Sequence, residues 1–295
     1  MHQRINLYDQ ISSNKLKSYL LILFFIVVIV LLGVVFSALF NYGAAGVVAA
    51  FAIAIAMSVF SFYYSDSVVL AASGAKEADR KHYAHFHNVV EGLAIAAGIP
   101  KPRVYVINDP AINAFATGRD PQHAVVAVTT GSLEKLTRQE LEGVLAHELS
   151  HVKNYDVRYM AMVAVLVGVI ALLSDWLLRS TLFGGRGRKV PPWLIIAGLV
   201  LAILTPIIAQ LVKLAVSRKR EFLADADGAL ISRNPEALAS ALSKIKRDGE
   251  QLSSANNATA HLYFSNPFKK SGWFHGMFST HPPIDERIAA LKAMS

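Results

Sequence analysis

Residues 137–153 read TRQELEGVLAHELSHVK, and the arrangement of the rest of the chain depends on this segment. Its first four residues, TRQE, match a capping box, in which Thr137 is the N-cap residue and the side chain of Glu140 reaches back to the backbone. The pattern therefore predicts a helix that begins at Arg138 and runs through Val152.

The second half of this helix carries the sequence HELSH, an instance of the pattern HExxH. His147 and His151 are four residues apart, so their imidazoles lie one turn apart on one helical face and can converge on one ion. A catalytic zinc ion usually takes three protein ligands and keeps a fourth position for water, and Glu148 is positioned to accept a proton from that water. The segment therefore predicts a catalytic site with one zinc ion per chain.

A third ligand must come from elsewhere in the chain, and because the sequence has no cysteine it must offer nitrogen or oxygen. Glu221 begins the sequence EFLAD, which places Asp225 four residues later on the same helical face. Glu221 can complete the ligand set, and Asp225 can accept a hydrogen bond from the free ring nitrogen of a ligand histidine. From spacing alone, a solvated acidic pair beside the basic residues 218–220 is an equally good interpretation, so both remain open at this point.

Apolar residues are abundant, at 54% of the 295 residues, and the mean hydropathy is +0.40. They form long runs, because residues 18–40 and 43–64 contain no charged side chain and each can cross the roughly 30 Å core of a bilayer. Only Asn41 and Tyr42 separate the two runs, which predicts a helical hairpin. The first run exceeds the apolar region of a signal peptide, about 7 to 15 residues, which disfavours cleavage.

Two further apolar runs, residues 159–178 and 193–216, predict a second hairpin. Its loop, within residues 179–189, contains four cations, and complete crossing would place them outside, against the tendency of cations to remain in the cytoplasm. Either this bias is overridden, or the pair enters the bilayer without crossing it. Most other cations flank apolar runs, so the net charge of +8 indicates membrane anchoring and no nucleic-acid partner.

Between the apolar runs the chain has the composition of a water-soluble domain. The charged residues 76–81 open an amphipathic helix that ends at Gly98, and a small sheet follows from residues 103–107, 113–118 and 124–129. We expect a mostly α integral membrane protein with four hydrophobic helices in two hairpins and a zincin-like α+β catalytic domain. The expected order is a cytoplasmic N-terminus (1–17), a hairpin (18–64), the first catalytic part (65–158), the second hairpin (159–216) and the second catalytic part (217–295).

Several segments together resemble one protein family, the HtpX-type membrane zinc metalloproteases, which are relatives of the CAAX prenyl proteases. These segments are HELSH, the hydrophobic hairpin after it, REFLADADGA (220–229), VEGLAIAAGIPKPRVYVI (90–107), NAFATG (113–118) and STHPPIDERIAAL (279–291). The resemblance implies that His147, His151 and Glu221 bind zinc, that Glu148 is the catalytic acid and base, and that Asp225 supports the site. It also implies a substrate-binding strand with Asn113, Ala114, Phe115 and Ala116.

His281 matches a family histidine near the scissile carbonyl. It lies in the sequence HPP, where two prolines prevent a helix and present the imidazole on a rigid turn, from which it can stabilise an oxyanion. The alternative is an ordinary histidine in a surface turn, and the sequence favours neither.

The resemblance implies an endopeptidase of the bacterial plasma (inner) membrane that faces the cytoplasm and hydrolyses misfolded or misassembled membrane proteins in quality control and stress response. An intramembrane protease is disfavoured, because charged residues surround HELSH. A scaffold or transporter with a decayed site is the remaining alternative, and a metal analysis separates it from an enzyme. The oligomeric state and substrates stay open, and residues 253–260 are the most exposed candidate for self-cleavage.

Overall fold

The computed structural model of the chain describes residues 7–165, 218–253, 259–265, 267 and 282–294. Its helices are α1 (Leu7–Phe40), α2 (Gly43–Ser73), α3 (Ala84–Ala97), α4 (Thr130–Lys135), α5 (Arg138–Lys153), α6 (residues 156–165), α7 (Arg218–Ser232), α8 (Pro235–Arg247) and α9 (Ile284–Lys292). Its strands are β1 (Lys76–Glu77), β2 (Arg103–Ile107), β3 (Ala114–Thr117) and β4 (Val125–Thr129). The described part is therefore mostly helical with one small sheet.

Helices α1 and α2 form the predicted first hairpin. They pack against each other, and the turn between them places Asn41 in the left-handed region with φ of 59°. Both are long and apolar enough to cross a membrane, over Ile11–Leu31 and Gly43–Ser73. Helix α2 continues past the predicted end at Tyr64 until Gly74 stops it with φ of 66°. Large apolar side chains point away from the protein on both helices, among them Leu20, Leu23, Phe51 and Phe60.

The second predicted hairpin lies almost entirely outside the described residues. Of the run 159–178, residues 159–165 belong to α6 and are buried, whereas residues 166–217 are not among those described. Two candidate membrane helices are thus present in the part of the chain that the structure covers, and the prediction of four stays a prediction.

The sheet has the strand order β1-β2-β4-β3. Strands β2 and β4 are parallel, while β1 and β3 are antiparallel to their neighbours and form the two ends. The predicted strands 103–107 and 124–129 are confirmed, and the strand within 113–118 is confirmed as β3. Two parallel strands need a long connection between them. The connection from β2 to β4 contains β3, which pairs with β4 on the side away from β2.

One local prediction was wrong. The charged residues 76–81 do not open a helix, because Lys76 and Glu77 form strand β1, and α3 begins only at Ala84. The backbone of β1 pairs with Val106 and Tyr105 at the free side of β2. This pairing outweighs the weak helical preference of a short charged segment, which has no apolar face to bury at that point.

Helix α5 is the central element of the fold. Thr137 and Glu140 form the predicted capping box, so the helix begins at Arg138 as expected. Its apolar face packs on the sheet and on α3, and its other sides contact α7 and α8. Helix α7 lies close to α5 at Gly228, where a Cβ atom would lie 2.9 Å from the backbone nitrogen of His147. The missing side chain lets the two backbones touch, and this contact brings the acidic residues of α7 to the HELSH face of α5.

Candidate metal centre

Four polar side chains of the sequence prediction meet where α5 and α7 touch. His147, Glu148 and His151 come from α5 and Glu221 comes from the first turn of α7, and each is at most 4% exposed. The ligand-type atoms of the two histidines and Glu221 all lie within 4.8 Å of one another. Buried charged groups need a partner, so this cluster has the burial and donor set of a metal site.

The spacing of the donor atoms fits a tetrahedral cation. The Nε2 atoms of His147 and His151 are 3.2 Å apart, and the Glu221 carboxylate lies 3.5 Å from Nε2 of His151 and 3.8 Å from Nε2 of His147. Zinc bonds of about 2.0–2.1 Å at tetrahedral angles place ligand atoms about 3.3 Å apart. The three donors therefore surround a space of the size that zinc requires.

The other ring nitrogen of each histidine faces a carboxylate. Nδ1 of His147 lies 2.9 Å from Asp225, and Nδ1 of His151 lies 3.0 Å from Asp156. When each carboxylate accepts the proton of Nδ1, the Nε2 atom of a neutral imidazole is left with a lone pair. Both Nε2 atoms can then donate their lone pairs to one cation between them.

The carboxylates of the cluster stabilise positive charge at the position of the two imidazoles. Burial lowers the pKa of His151, but hydrogen bonds and charge interactions with Asp156 and Glu221 outweigh burial and raise it to about 10. The same carboxylates would stabilise a divalent cation at this position. For His147, burial dominates and lowers the pKa to about 4, which favours the neutral imidazole that a metal ligand requires.

Glu148 lies beside the donors without belonging to the triad. Burial raises its pKa to about 7, and the charge of His151 and a hydrogen bond with the backbone of Ala116 oppose this rise. A carboxyl group that titrates near neutral pH can both accept and return a proton, which is the property of a general acid and base. The bond with Ala116 also ties this group to strand β3.

Arg287 is a central residue that the sequence reasoning did not single out. It is 1% exposed, and its guanidinium donates to both carboxylate oxygens of Asp225 at 2.9 and 2.7 Å while its Nη1 lies 3.8 Å from Glu221. It also lies over the ring of Phe264, 4.7 Å from the centroid. A signal was available, because Arg287 occupies the position between Ile284 and Leu291 where an amphipathic helix presents its apolar stripe.

Asp156 is a second residue that the sequence reasoning missed. It follows the end of α5 after a turn in which Tyr155 has φ of 60°, and this turn brings its carboxylate back to His151. A left-handed tyrosine is uncommon and has no sequence signature, so the contact could not be read from spacing.

The predicted substrate strand is β3, and part of the chain itself lies along its outer side. The backbone N–H of Phe264 donates to Ala114 O at 2.8 Å, Phe115 and Tyr263 form an antiparallel bridge, and the Asn113 side chain bonds with the backbone of Ser265. The four predicted residues, Asn113, Ala114, Phe115 and Ala116, are at most 3% exposed. The structure thus brings this strand to Glu148 and covers its edge with residues 263–265.

Two predicted features lie outside the described residues. His281 is one of them, so its position relative to the cluster stays a prediction. The other is most of the polar loop 253–260, of which residues 254–258 are not described.

A buried triad of potential cation ligands, with a further glutamate next in sequence to one of them and an edge strand alongside, is the arrangement of a metal-dependent peptidase. With the apolar hairpin of α1 and α2, the class is a membrane-associated metalloendopeptidase. The chain belongs to peptidase family M48, whose sequence profile matches residues 80–295.

Two relatives that are similar to this chain along almost its whole length share one name. The chain is 46% identical over 288 residues to a "Protease HtpX homolog" of Dictyoglomus thermophilum, covering 97% of this chain and 94% of the relative. A "Protease HtpX homolog" of Caldanaerobacter subterraneus is 43% identical, covering 98% of both chains. The crystal structure of S. mikatae Ste24p is similar to 81% of this chain and is covered over 57% of its own length, with 18% identity and a TM-score of 0.48.

The ion pairs of Arg287 should contribute to the free energy of unfolding. Arg287→Met should lower the free energy of unfolding by about 3–5 kcal/mol, because it leaves Asp225 and Glu221 buried without their cation. The matched control is Lys246→Met, which breaks an exposed ion pair with Asp285 at 2.6 Å and should cost less than about 1 kcal/mol. Thermal unfolding of the two purified variants in detergent measures both, and equal losses would contradict the role of Arg287.

Proposed function

We propose that His147, His151 and Glu221 bind one zinc ion and that the chain is a zinc-dependent endopeptidase. The supporting observation is the pair of Nε2 atoms 3.2 Å apart, each with a carboxylate behind its opposite ring nitrogen. Nitrogen and carboxylate donors without thiolates are those of catalytic zinc. When bound, zinc would polarise the scissile carbonyl and make a water molecule acidic enough to lose a proton at neutral pH.

Glu148 moves the protons of the reaction. Its carboxylate accepts a proton from the attacking water and then donates it to the leaving amine, two steps that one group with a pKa of about 7 can perform. Asp225 and Asp156 hold the ligand imidazoles in the required tautomer, and Arg287 keeps Asp225 ionised: burial raises its pKa, but the guanidinium and His147 together lower it to about 2. His281 is proposed to stabilise the oxyanion from its Pro-rich turn.

The proposed substrate is an extended segment of a misfolded or misassembled membrane protein. Such a segment would pair with β3 along Asn113–Ala116 and place its carbonyl beside Glu148, since α5 packs against this strand. Residues 263–265 lie on this edge. Binding therefore requires either that these residues move away from β3, or that the substrate pairs with β3 beyond them. Pairing through the backbone recognises any substrate segment that is exposed and extended, with little dependence on its sequence. A protease of quality control needs this property, because misfolded proteins have no common sequence.

We further propose that the catalytic domain faces the cytoplasm of a bacterial plasma membrane, in the domain order given by the sequence. The side chain of Asn14 at the start of α1 donates to Asp156 beside the metal cluster, which supports a topology with the N-terminus and the catalytic domain on one side of the bilayer. Lys15 and Lys17 precede the first apolar run on this side, as the positive-inside tendency requires. The second apolar pair, within residues 159–216, then returns the chain to the same side.

The proposed roles of Glu148 and His147 predict different effects on zinc binding when each residue is substituted. Glu148→Gln should keep about one zinc per chain and lose at least about a hundredfold in cleavage of a casein substrate, because the metal ligands remain and the proton acceptor does not. His147→Ala should lose both zinc and cleavage. Metal analysis and peptide-release assays of the purified proteins measure both quantities, with Glu142→Gln on the outer side of α5 as the matched control. Wild-type proteolysis by Glu148→Gln with zinc bound would refute the role of Glu148.

The topology can be tested by labelling, because the chain has no native cysteine. Asn41→Cys, in the turn between α1 and α2, should react with an impermeant maleimide in intact cells. Asp285→Cys, on the exposed side of α9, should react only after permeabilisation, and a cysteine within residues 184–188 reports whether the second pair crosses. Labelling of Asp285→Cys from outside would contradict a cytoplasmic catalytic domain.

A further inference from the structure

The first membrane helix contacts a residue beside the metal cluster through one buried polar side chain. Asn14 lies on α1 just before the apolar run that begins at residue 18, is 2% exposed, and donates through Nδ2 to Asn154 O at 2.9 Å and to Oδ1 of Asp156 at 2.8 Å. Both partners are acceptors, so the amide nitrogen must face them and its two protons are both used. A buried amide is costly unless it is hydrogen-bonded, and this one is held by two specific bonds.

Asp156 connects Asn14 to His151, a proposed metal ligand. Oδ1 of Asp156 accepts from Asn14, and Oδ2 of the same carboxylate lies 3.0 Å from Nδ1 of His151. The carboxylate is therefore fixed at both oxygens, and its orientation sets the direction of the His151 ring. Arg220 also contacts Oδ1 at 3.3 Å, a longer contact than the one from Asn14.

Helix α1 also supports the turn that carries Asp156. Tyr155 has φ of 60°, a conformation that a tyrosine keeps only when its surroundings enforce it. The Nζ atom of Lys15 lies 4.3 Å from the centre of the Tyr155 ring, and Asn14 bonds with the carbonyl of the preceding residue, Asn154. Two consecutive residues of α1 thus hold the turn 154–156 from the membrane side.

We propose that Asn14 is a positioning residue for the metal centre: it orients Asp156 so that His151 presents Nε2 to the cation. This inference rests on the proposed zinc site. It gives α1 a role beyond anchoring, because the membrane helix supplies part of the scaffold that holds a ligand. Displacement of α1 relative to α5 would then change the affinity for zinc.

The experiment measures zinc affinity of the full-length protein in detergent by competition with a fluorescent chelator. Asn14→Leu keeps the side-chain volume and removes the donor, and it should weaken zinc binding by about tenfold, the lower end of the range for partners behind a metal ligand, because Arg220 still contacts Asp156. Asn14→Asp places a second carboxylate against Asp156 and should weaken binding further. Ser12→Leu, at an exposed position two residues away on α1, is the control and should bind like the wild type.

One rescue measurement distinguishes positioning from a general loss of folding. Saturating zinc should restore most casein cleavage by Asn14→Leu, because the defect is in holding the metal.

The outcomes separate this inference from the zinc site itself. Wild-type affinity in both Asn14 variants, with zinc binding still lost in His147→Ala, would overturn the role of Asn14 and leave the zinc site intact. Failure of excess zinc to restore cleavage by Asn14→Leu would also overturn it, since Asn14 would then serve folding alone. Absence of zinc binding by the wild type would overturn the proposed function and this inference together.

Discussion

Negative charge buried between two helices is the constraint on which the rest of the structure depends. Four carboxylates within the described residues, Asp156, Glu148, Glu221 and Asp225, are at most 2% exposed and surround two imidazoles. The buried cations beside them are two guanidinium groups, those of Arg220 and Arg287. When both imidazoles are neutral, as metal ligands are, and all four acids are ionised, these groups carry two net negative charges, which one divalent cation would balance. Without such balance, desolvation of these groups would cost several kcal/mol each.

The fold brings the charged side chains of distant segments together at one point. Helix α5 supplies both histidines from a rigid, well-capped helix, and α7 supplies Glu221 and Asp225 because Gly228 permits direct backbone contact with α5. Helix α9 adds Arg287, and the start of α1 adds the amide behind Asp156. The sheet presents β3 next to Glu148. The site is therefore assembled from elements on both sides of the chain's second apolar region, and no single segment supplies all three potential ligands.

Features with a local cause could be predicted from the sequence. The start of α5 follows from the capping box, and the approach of the two histidines follows from helical geometry alone. Strand β2 was predicted over its full length by its β-branched residues. The acidic pair on α7 could be proposed but not distinguished from a solvated pair, because its burial depends on the contact at Gly228, a tertiary feature.

The rest depended on an irregular turn or on contacts between distant parts of the chain. Asp156 reaches His151 through the left-handed turn at Tyr155, and Asn14 reaches Asp156 across 142 residues, so neither has a periodic signature. The cover of residues 263–265 on β3 is equally non-local. Arg287 is the exception, because a charged residue in the apolar stripe of a helix indicates a buried partner and could have been recognised.

X-ray absorption spectroscopy at the zinc edge tests the central claim most directly. The purified full-length protein should contain about one zinc per chain, with two imidazole nitrogens at about 2.0–2.1 Å and carboxylate or water oxygens at about 2.0–2.2 Å in a four-coordinate shell. A shell with fewer than two imidazoles, or a six-coordinate all-oxygen shell, would show that the α5 and α7 side chains do not converge on the ion and would contradict the account.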